Sequence, residues 1–292
     1  MHEIAKTKAR KGIIRRLLKS FLRIVITAYI AIVAVFWLFQ SWFIYHPTGE
    51  ITNTPESMGA KFEEVEFQSA DGVRLNGWFI PAEPALPGGA AAANSGATVL
   101  YCHGNARNIS DCLDIIRILT GLKLNVFVFD YRGFGKSEGK PAEKGLYADA
   151  EAAYNYLIKT KGINENEIIV HGRSLGGPMA AYLAQKYNPK KLILESTFTS
   201  MADAASDIYP YLPVRLILRH NYPTIEYARL VKCPVLVIHS ANDELIPFSH
   251  GRRLYESIKT KKEFLEITGL HNNGFLISEN AYINGIKEFI DR

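Results

Sequence analysis

The sequence predicts an α/β protein: a mostly parallel, eight-stranded sheet with helices on both faces, preceded by one N-terminal transmembrane helix. Three observations carry this prediction. Six nearly continuous apolar runs, at 98–102, 125–130, 167–171, 191–195, 235–239 and 263–267, recur about 25–40 residues apart. Strands with that look and spacing are buried on both faces and joined by helical crossovers. Two further runs, 62–68 and 73–80, flank Ala70-Asp71-Gly72, a hairpin signal that adds an antiparallel pair. Finally, 19 of the 22 residues from 24 to 45 are apolar or aromatic and none is charged.

Taken from the N-terminus, residues 1–23 hold eight basic side chains against one acid, Glu3, while the other 269 residues hold 26 basic and 28 acidic ones. The net charge of +5 is therefore a +7 tail on a −2 body, and it gives no reason to expect nucleic-acid binding. The tail runs straight into the apolar stretch 24–45. A bilayer core of roughly 30 Å needs about 20 such residues in a helix. Trp37, Trp42 and Tyr45 gather toward its far end, where amphipathic rings favour the interface. The run ends in Trp42-Phe43-Ile44-Tyr45 with no small-residue cleavage site, which argues against a cleaved signal peptide. These features predict a basic cytoplasmic tail (1–23), a signal anchor (24–45) and a domain (46–292) on the extracytoplasmic side, since Lys and Arg are held on the cytoplasmic face.

Within 46–292 two stretches break the strand rhythm. Residues 84–96 form a low-complexity Ala/Gly loop, and 197–230 is an irregular insertion containing Pro210, Pro213 and Pro223. No internal repeat and no dividing linker is present, so a single domain is expected. Three scattered cysteines, Cys102, Cys112 and Cys233, suit neither a disulfide framework nor a zinc site. Cys102 and His103 are neighbours on an extended strand and point to opposite faces, which disfavours a thiol nucleophile and its base.

The chemistry concentrates at strand ends. Strand 167–171 leads into Gly172-Arg173-Ser174-Leu175-Gly176, and 178–187 reads as a helix. This is G-x-S-x-G in its strand-turn-helix context, where Gly172 and Gly176 allow the sharp turn that presents the Ser174 hydroxyl. After strand 98–102 come His103, Gly104 and Asn105, a loop able to aim the Asn105 N–H at the same point as that of Leu175 and so to form an oxyanion hole. Asp243 follows strand 235–239 and His271 follows strand 263–267. The order Ser174, Asp243, His271, each on a loop at the carboxyl end of its strand, brings all three to one edge of a parallel sheet. Glu195 and Glu244 compete for the acid, and His250 for the base. His103, His171 and His239 read as structural, as does Asp130. Gly133-Phe134-Gly135-Lys136-Ser137 ends like a phosphate loop, but position 130 is Asp where glycine is needed.

On these pieces, together with Tyr45-His46-Pro47, Asp130-Tyr131-Arg132-Gly133-Phe134-Gly135 and Asp243-Glu244-Leu245-Ile246-Pro247, the sequence resembles the α/β-hydrolase superfamily. Within it, the likeness is to membrane-anchored, bud-emergence-protein-like serine hydrolases, and it covers essentially residues 40–290. The resemblance favours Asp243 as the acid, because its turn after the penultimate strand is where such hydrolases carry it. It implies a short lid at 197–230, attack of Ser174 on a carboxylic ester or thioester, and no metal or organic cofactor. It implies no single substrate, although some eukaryotic relatives are protein depalmitoylases. The apolar residues of the insertion suit a lipid-like acyl substrate or simple packing of the lid. A serine peptidase and a non-catalytic membrane scaffold are the other function classes, the latter disfavoured by the complete Ser, His and Asp set.

Overall fold

In a computed structural model, which describes residues 2–82 and 96–292, each predicted run folds as a strand. The strands are β1 (Glu63–Gln68), β2 (Arg74–Ile80), β3 (Thr98–Cys102), β4 (Asn125–Phe129), β5 (Ile168–Arg173), β6 (Lys191–Glu195), β7 (Val235–Ser240) and β8 (Lys262–Ile267). They form one eight-stranded sheet in the spatial order β1-β2-β4-β3-β5-β6-β7-β8. β2 pairs antiparallel with β1 and β4, and every other pairing is parallel. Chain order turns back at β3, so β3 and β5 bracket the switch point where crevices open in such sheets. The low-complexity loop expected at 84–96 lies outside the described residues apart from Gly96.

Strand alternation divides the core in two. Leu100, Cys102, Phe127 and Phe129 face the helices α4 (Glu143–Lys159), α5 (Gly176–Tyr187), α8 (Thr224–Ala228) and α9 (Phe248–Ser257). Val99, Tyr101, Val126 and Val128 face α3 (Leu113–Gly121) and α10 (Glu279–Asp291). Because both faces are covered, the parallel strands are apolar at nearly every position, which is why they were legible as continuous runs.

The N-terminal region is helical across residue 23. The basic tail and most of the apolar run form one helix, α1 (His2–Leu38), of which Arg10–Leu38 is long and apolar enough to cross a membrane. The chain breaks at Phe39 (φ −106°, ψ 23°) and turns into α2 (Gln40–Ile44). Gln40, Ile44 and Tyr45 are buried, so the last residues of the 24–45 run pack into the globular body. His46–Pro47 then makes a two-residue parallel ladder with Ala106–Arg107, outside the main sheet.

The insertion at 197–230 also resolves into two parts. Its first part, with α6 (Met201–Ile208) and α7 (Val214–Ile217), overlies the carboxyl ends of the strands. From Tyr222 onward it belongs to the body. Tyr222 and Thr224 are buried, and the Glu143 carboxylate accepts from the N–H groups of Asn221 and Tyr222, both at 2.7 Å.

Candidate active site

Ser174 sits on the turn between β5 and α5 with φ 52°, in the left-handed region. A non-glycine residue there carries roughly 1–3 kcal/mol of strain and persists only where its surroundings hold it. They do so here. The Ser174 N–H donates to the carbonyl of Glu195 (3.0 Å), and its own carbonyl accepts from the Gly177 N–H (3.0 Å) and the Thr197 hydroxyl (2.7 Å). The flanking glycines permit close packing: a Cβ at Gly172 would overlap Gly176 and Ala180, and one at Gly176 would overlap the carbonyl of Cys102. Helix α5 is thus pressed against the ends of β3 and β5, and the serine is lifted into the crevice.

His271, on the loop after β8, reaches this serine. Its Nε2 lies 3.1 Å from Ser174 Oγ and its Nδ1 lies 2.8 Å from Asp243 Oδ2. All three residues are buried. Asp243, between β7 and α9, is fixed by the N–H groups of Leu245 (3.0 Å) and Ile246 (2.8 Å), which donate to its other oxygen. Burial raises the pKa of its carboxyl. The hydrogen bonds from His271 and the Ile246 N–H outweigh that effect and hold it below the usual carboxylate range. An ionised Asp243 only accepts, so Nδ1 carries the imidazole proton and Nε2 is left to accept from the serine hydroxyl.

The two amides expected to face a reacting oxygen are also at the site. Asn105 and Leu175 line, with Ser174, a cavity of about 380 Å³, and among the described residues neither N–H donates to another protein group. The loop lies against the nucleophile turn: a Cβ at Gly104 would be in ordinary contact with Ser174 Cβ, at 3.6 Å. The loop is braced from the N-terminal side: the Asn105 amide donates to the carbonyl of Ile44 (2.9 Å), and its carbonyl accepts from His46 (2.9 Å).

The competing residues are engaged elsewhere. Glu244 accepts from the backbone N–H of His271 (2.8 Å) and so sets the loop on which the imidazole rides. Glu195 is buried and bonds His171 Nε2 (2.8 Å) and the Tyr282 hydroxyl (2.6 Å). Arg173, 3.3 Å from Glu195, donates to the carbonyl of His271 (2.7 Å). His250 bonds Thr199 and Asp207, and His239 bonds the carbonyl of Ile246. Burial pushes the Cys102 thiol up to about 12, which leaves it no thiolate character. Asp130 accepts from the Ile109 N–H (2.9 Å), and His103 packs beside it at 3.6 Å. Among the described residues no group of three His, Cys, Asp or Glu side chains is arranged to hold a metal ion.

Several participants were not legible in the sequence. Glu244 and Arg173 lie inside the motifs read above, but the pattern does not reveal that together they position the His271 backbone. Phe36, Gln40 and Phe43 of the N-terminal helices also line the cavity. For Gln40 a signal existed: only Thr27, Gln40 and Ser41 interrupt the apolar run, and an amide in such a run needs a partner.

Comparison with known proteins agrees with this architecture. A family model described as serine aminopeptidase, S33, matches residues 93–225. An α/β hydrolase domain-containing protein, WAV2, of Arabidopsis thaliana is 34% identical over 289 residues, covering 90% of this chain and 91% of its own. A membrane protein of Saccharomyces cerevisiae is 33% identical over 246 residues, 82% of each chain. Among solved structures, an esterase of Pyrococcus furiosus superposes with a TM-score of 0.68 at 21% identity, covering 85% of this chain and 97% of that one. A sheet that reverses at β3, a serine on the strand-to-helix turn at that switch and relatives this similar along most of the chain lead to one assignment: the chain belongs to the α/β-hydrolase family.

Proposed function

We propose that the protein is a membrane-anchored serine hydrolase that cleaves carboxylic esters or thioesters through an acyl-enzyme. The observation that carries this reading is the continuous path from Asp243 to His271 to Ser174, with separations of 2.8 and 3.1 Å. His271 Nε2 takes the hydroxyl proton as Ser174 Oγ attacks the carbonyl carbon, and Asp243 stabilises the imidazolium that forms. The N–H groups of Asn105 and Leu175 receive the oxyanion. When the tetrahedral intermediate collapses, the imidazolium returns its proton to the departing alkoxide or thiolate. Water, deprotonated by the same imidazole, then releases the acid. His103, Gly104, Gly172 and Gly176 support the two turns.

A peptidase of the same fold would use the same machinery, and the matched family model bears an aminopeptidase description. An aminopeptidase needs a carboxylate to hold the substrate's free amine. The described lining of the cavity has no Asp or Glu and is mostly apolar, which favours an acyl chain. Loss of the nucleophile in such a unit costs about 10⁶ in kcat. Ser174→Ala is expected to abolish both hydrolysis of p-nitrophenyl butyrate and labelling by a fluorophosphonate probe. Undiminished labelling of the folded variant would refute the assignment.

A further inference from the structure

The cavity over Ser174 is closed on one side by the end of the N-terminal helix. Phe36 of α1 and Phe43 of α2 line it opposite Ile208, Tyr209 and Ile217 of the overlying segment. The two walls are fastened together. The Gln40 amide donates to the carbonyl of Ile217 and accepts from the N–H of Arg219, both at 2.7 Å. Phe36 stacks on Phe43 with centroids 4.4 Å apart and meets Tyr209 edge-on at 5.1 Å. The Tyr29 hydroxyl donates to the carbonyl of Tyr211 (2.9 Å). At 1.5 Å per residue, Tyr29 lies about 13 Å back along α1 from its end at Leu38. The segment therefore runs beside that part of α1 which the charge-free stretch would place in lipid. Its tip carries Tyr211 and Leu216, 88% and 87% exposed, an apolar surface continuous with the helix and fit for an apolar phase.

We propose that the anchor helix is the specificity wall of the acyl pocket, and that the substrate is a single long acyl chain drawn sideways out of the bilayer between α1–α2 and the overlying segment. This rests on the acyl-transfer reading above. A volume of about 380 Å³ is near the low end for ligand pockets, which suits one chain and not a pair. A single-chain lysolipid and an S-acylated peptide both present that chemistry.

The full-length protein in phosphatidylcholine vesicles is given two series from butyryl to palmitoyl, one of lysophosphatidylcholines and one of S-acylated peptide thioesters. Turnover that rises with chain length in either series is expected, and the productive series identifies the leaving group. Phe36→Trp and Phe43→Trp, which add bulk to the wall, are expected to lower the palmitoyl-to-butyryl ratio of kcat/KM about tenfold. A fluorophosphonate with a palmitoyl-length tail ending in a diazirine needs no variant. Once bound to Ser174 and photolysed, it is expected to cross-link within 36–44 or 201–218. Unchanged ratios in both folded variants, or cross-links confined to other segments, overturn the proposal. If the wild-type protein takes up no fluorophosphonate at all, it is the acyl-transfer reading that fails.

Discussion

Two carboxylates meet His271, one on its ring and one on its backbone. Under the proposed mechanism, Asp243 fixes the tautomer and stabilises the imidazolium, whereas Glu244 holds the loop. Asp243→Asn is expected to lower kcat by roughly 10⁴, the cost seen where the wrong tautomer is imposed on such a unit. Glu244→Gln keeps an acceptor and gives up only charge assistance, so about a tenfold loss is expected. Hydrolysis of p-nitrophenyl butyrate by the two variants decides, and the reverse ranking would make Glu244 the acid. Ser174, Asp243 and His271 could be named from the sequence because each lies within four residues of the end of an apolar run, with the resemblance choosing Asp243 over Glu195 and Glu244. The separate task of Glu244 was not, because which of two adjacent side chains faces the imidazole depends on the turn and not on residue type. The pair His103 and Asp130 gives a different prediction. Burial pushes His103 down to about 4 and Asp130 up to about 8. Between about pH 4 and 6.5 the native pair and its unfolded counterpart each bind one proton, so no slope arises. Above 6.5 the unfolded histidine releases its proton while the native pair keeps one until about pH 8. Stability should therefore fall by about 2 kcal/mol from pH 6.5 to 8. Urea midpoints across that range test this, and Asp130→Asn, whose amide oxygen can still accept from Ile109, should remove the slope.

At the scale of elements, strands were legible and the cover of the site was not. A strand buried on both faces announces itself in composition, so 98–102 and 191–195 match β3 and β6 to the residue. The prolines of 197–230 mark irregular chain, but they do not say which part covers a cavity and which part packs into the body. That division depends on contacts far away in sequence, such as Tyr45 with Tyr222 (2.5 Å between hydroxyls) and Gln40 with Ile217 and Arg219. The Gln40 clamp predicts a measurable change in opening. Gln40→Leu keeps the bulk but leaves a carbonyl and an N–H without their partner, a cost of about 1–3 kcal/mol. Most of this should appear as easier release of the segment. Tryptic cleavage after Arg215 or Arg219 in vesicles is expected to be at least about fivefold faster than in the wild type, with little change at sites on α9. Equal cleavage rates would mean that the aromatic contacts alone hold the segment down.

For the whole molecule, the charge imbalance and the position of the cavity bear on one question: which side of the membrane the domain occupies. The +7 tail and the −2 remainder are joined by a helix that continues without a break through residue 23, so tail and apolar stretch belong to one helix. We propose that the basic end is held where Lys and Arg are retained, on the cytoplasmic side, which would put the hydrolase domain on the other. The native thiols allow this to be tested cleanly, because Cys102, Cys112 and Cys233 are all buried. Lys140→Cys places a reactive thiol on the exposed surface of the domain, and Lys6→Cys places one on the tail. In spheroplasts of a bacterial host, a membrane-impermeant maleimide should label the first variant and spare the second until the membrane is opened by detergent. The opposite pattern would put the domain in the cytoplasm. The pocket would then open toward the inner leaflet, and its acyl chains would have to come from lipids or acylated proteins on that side.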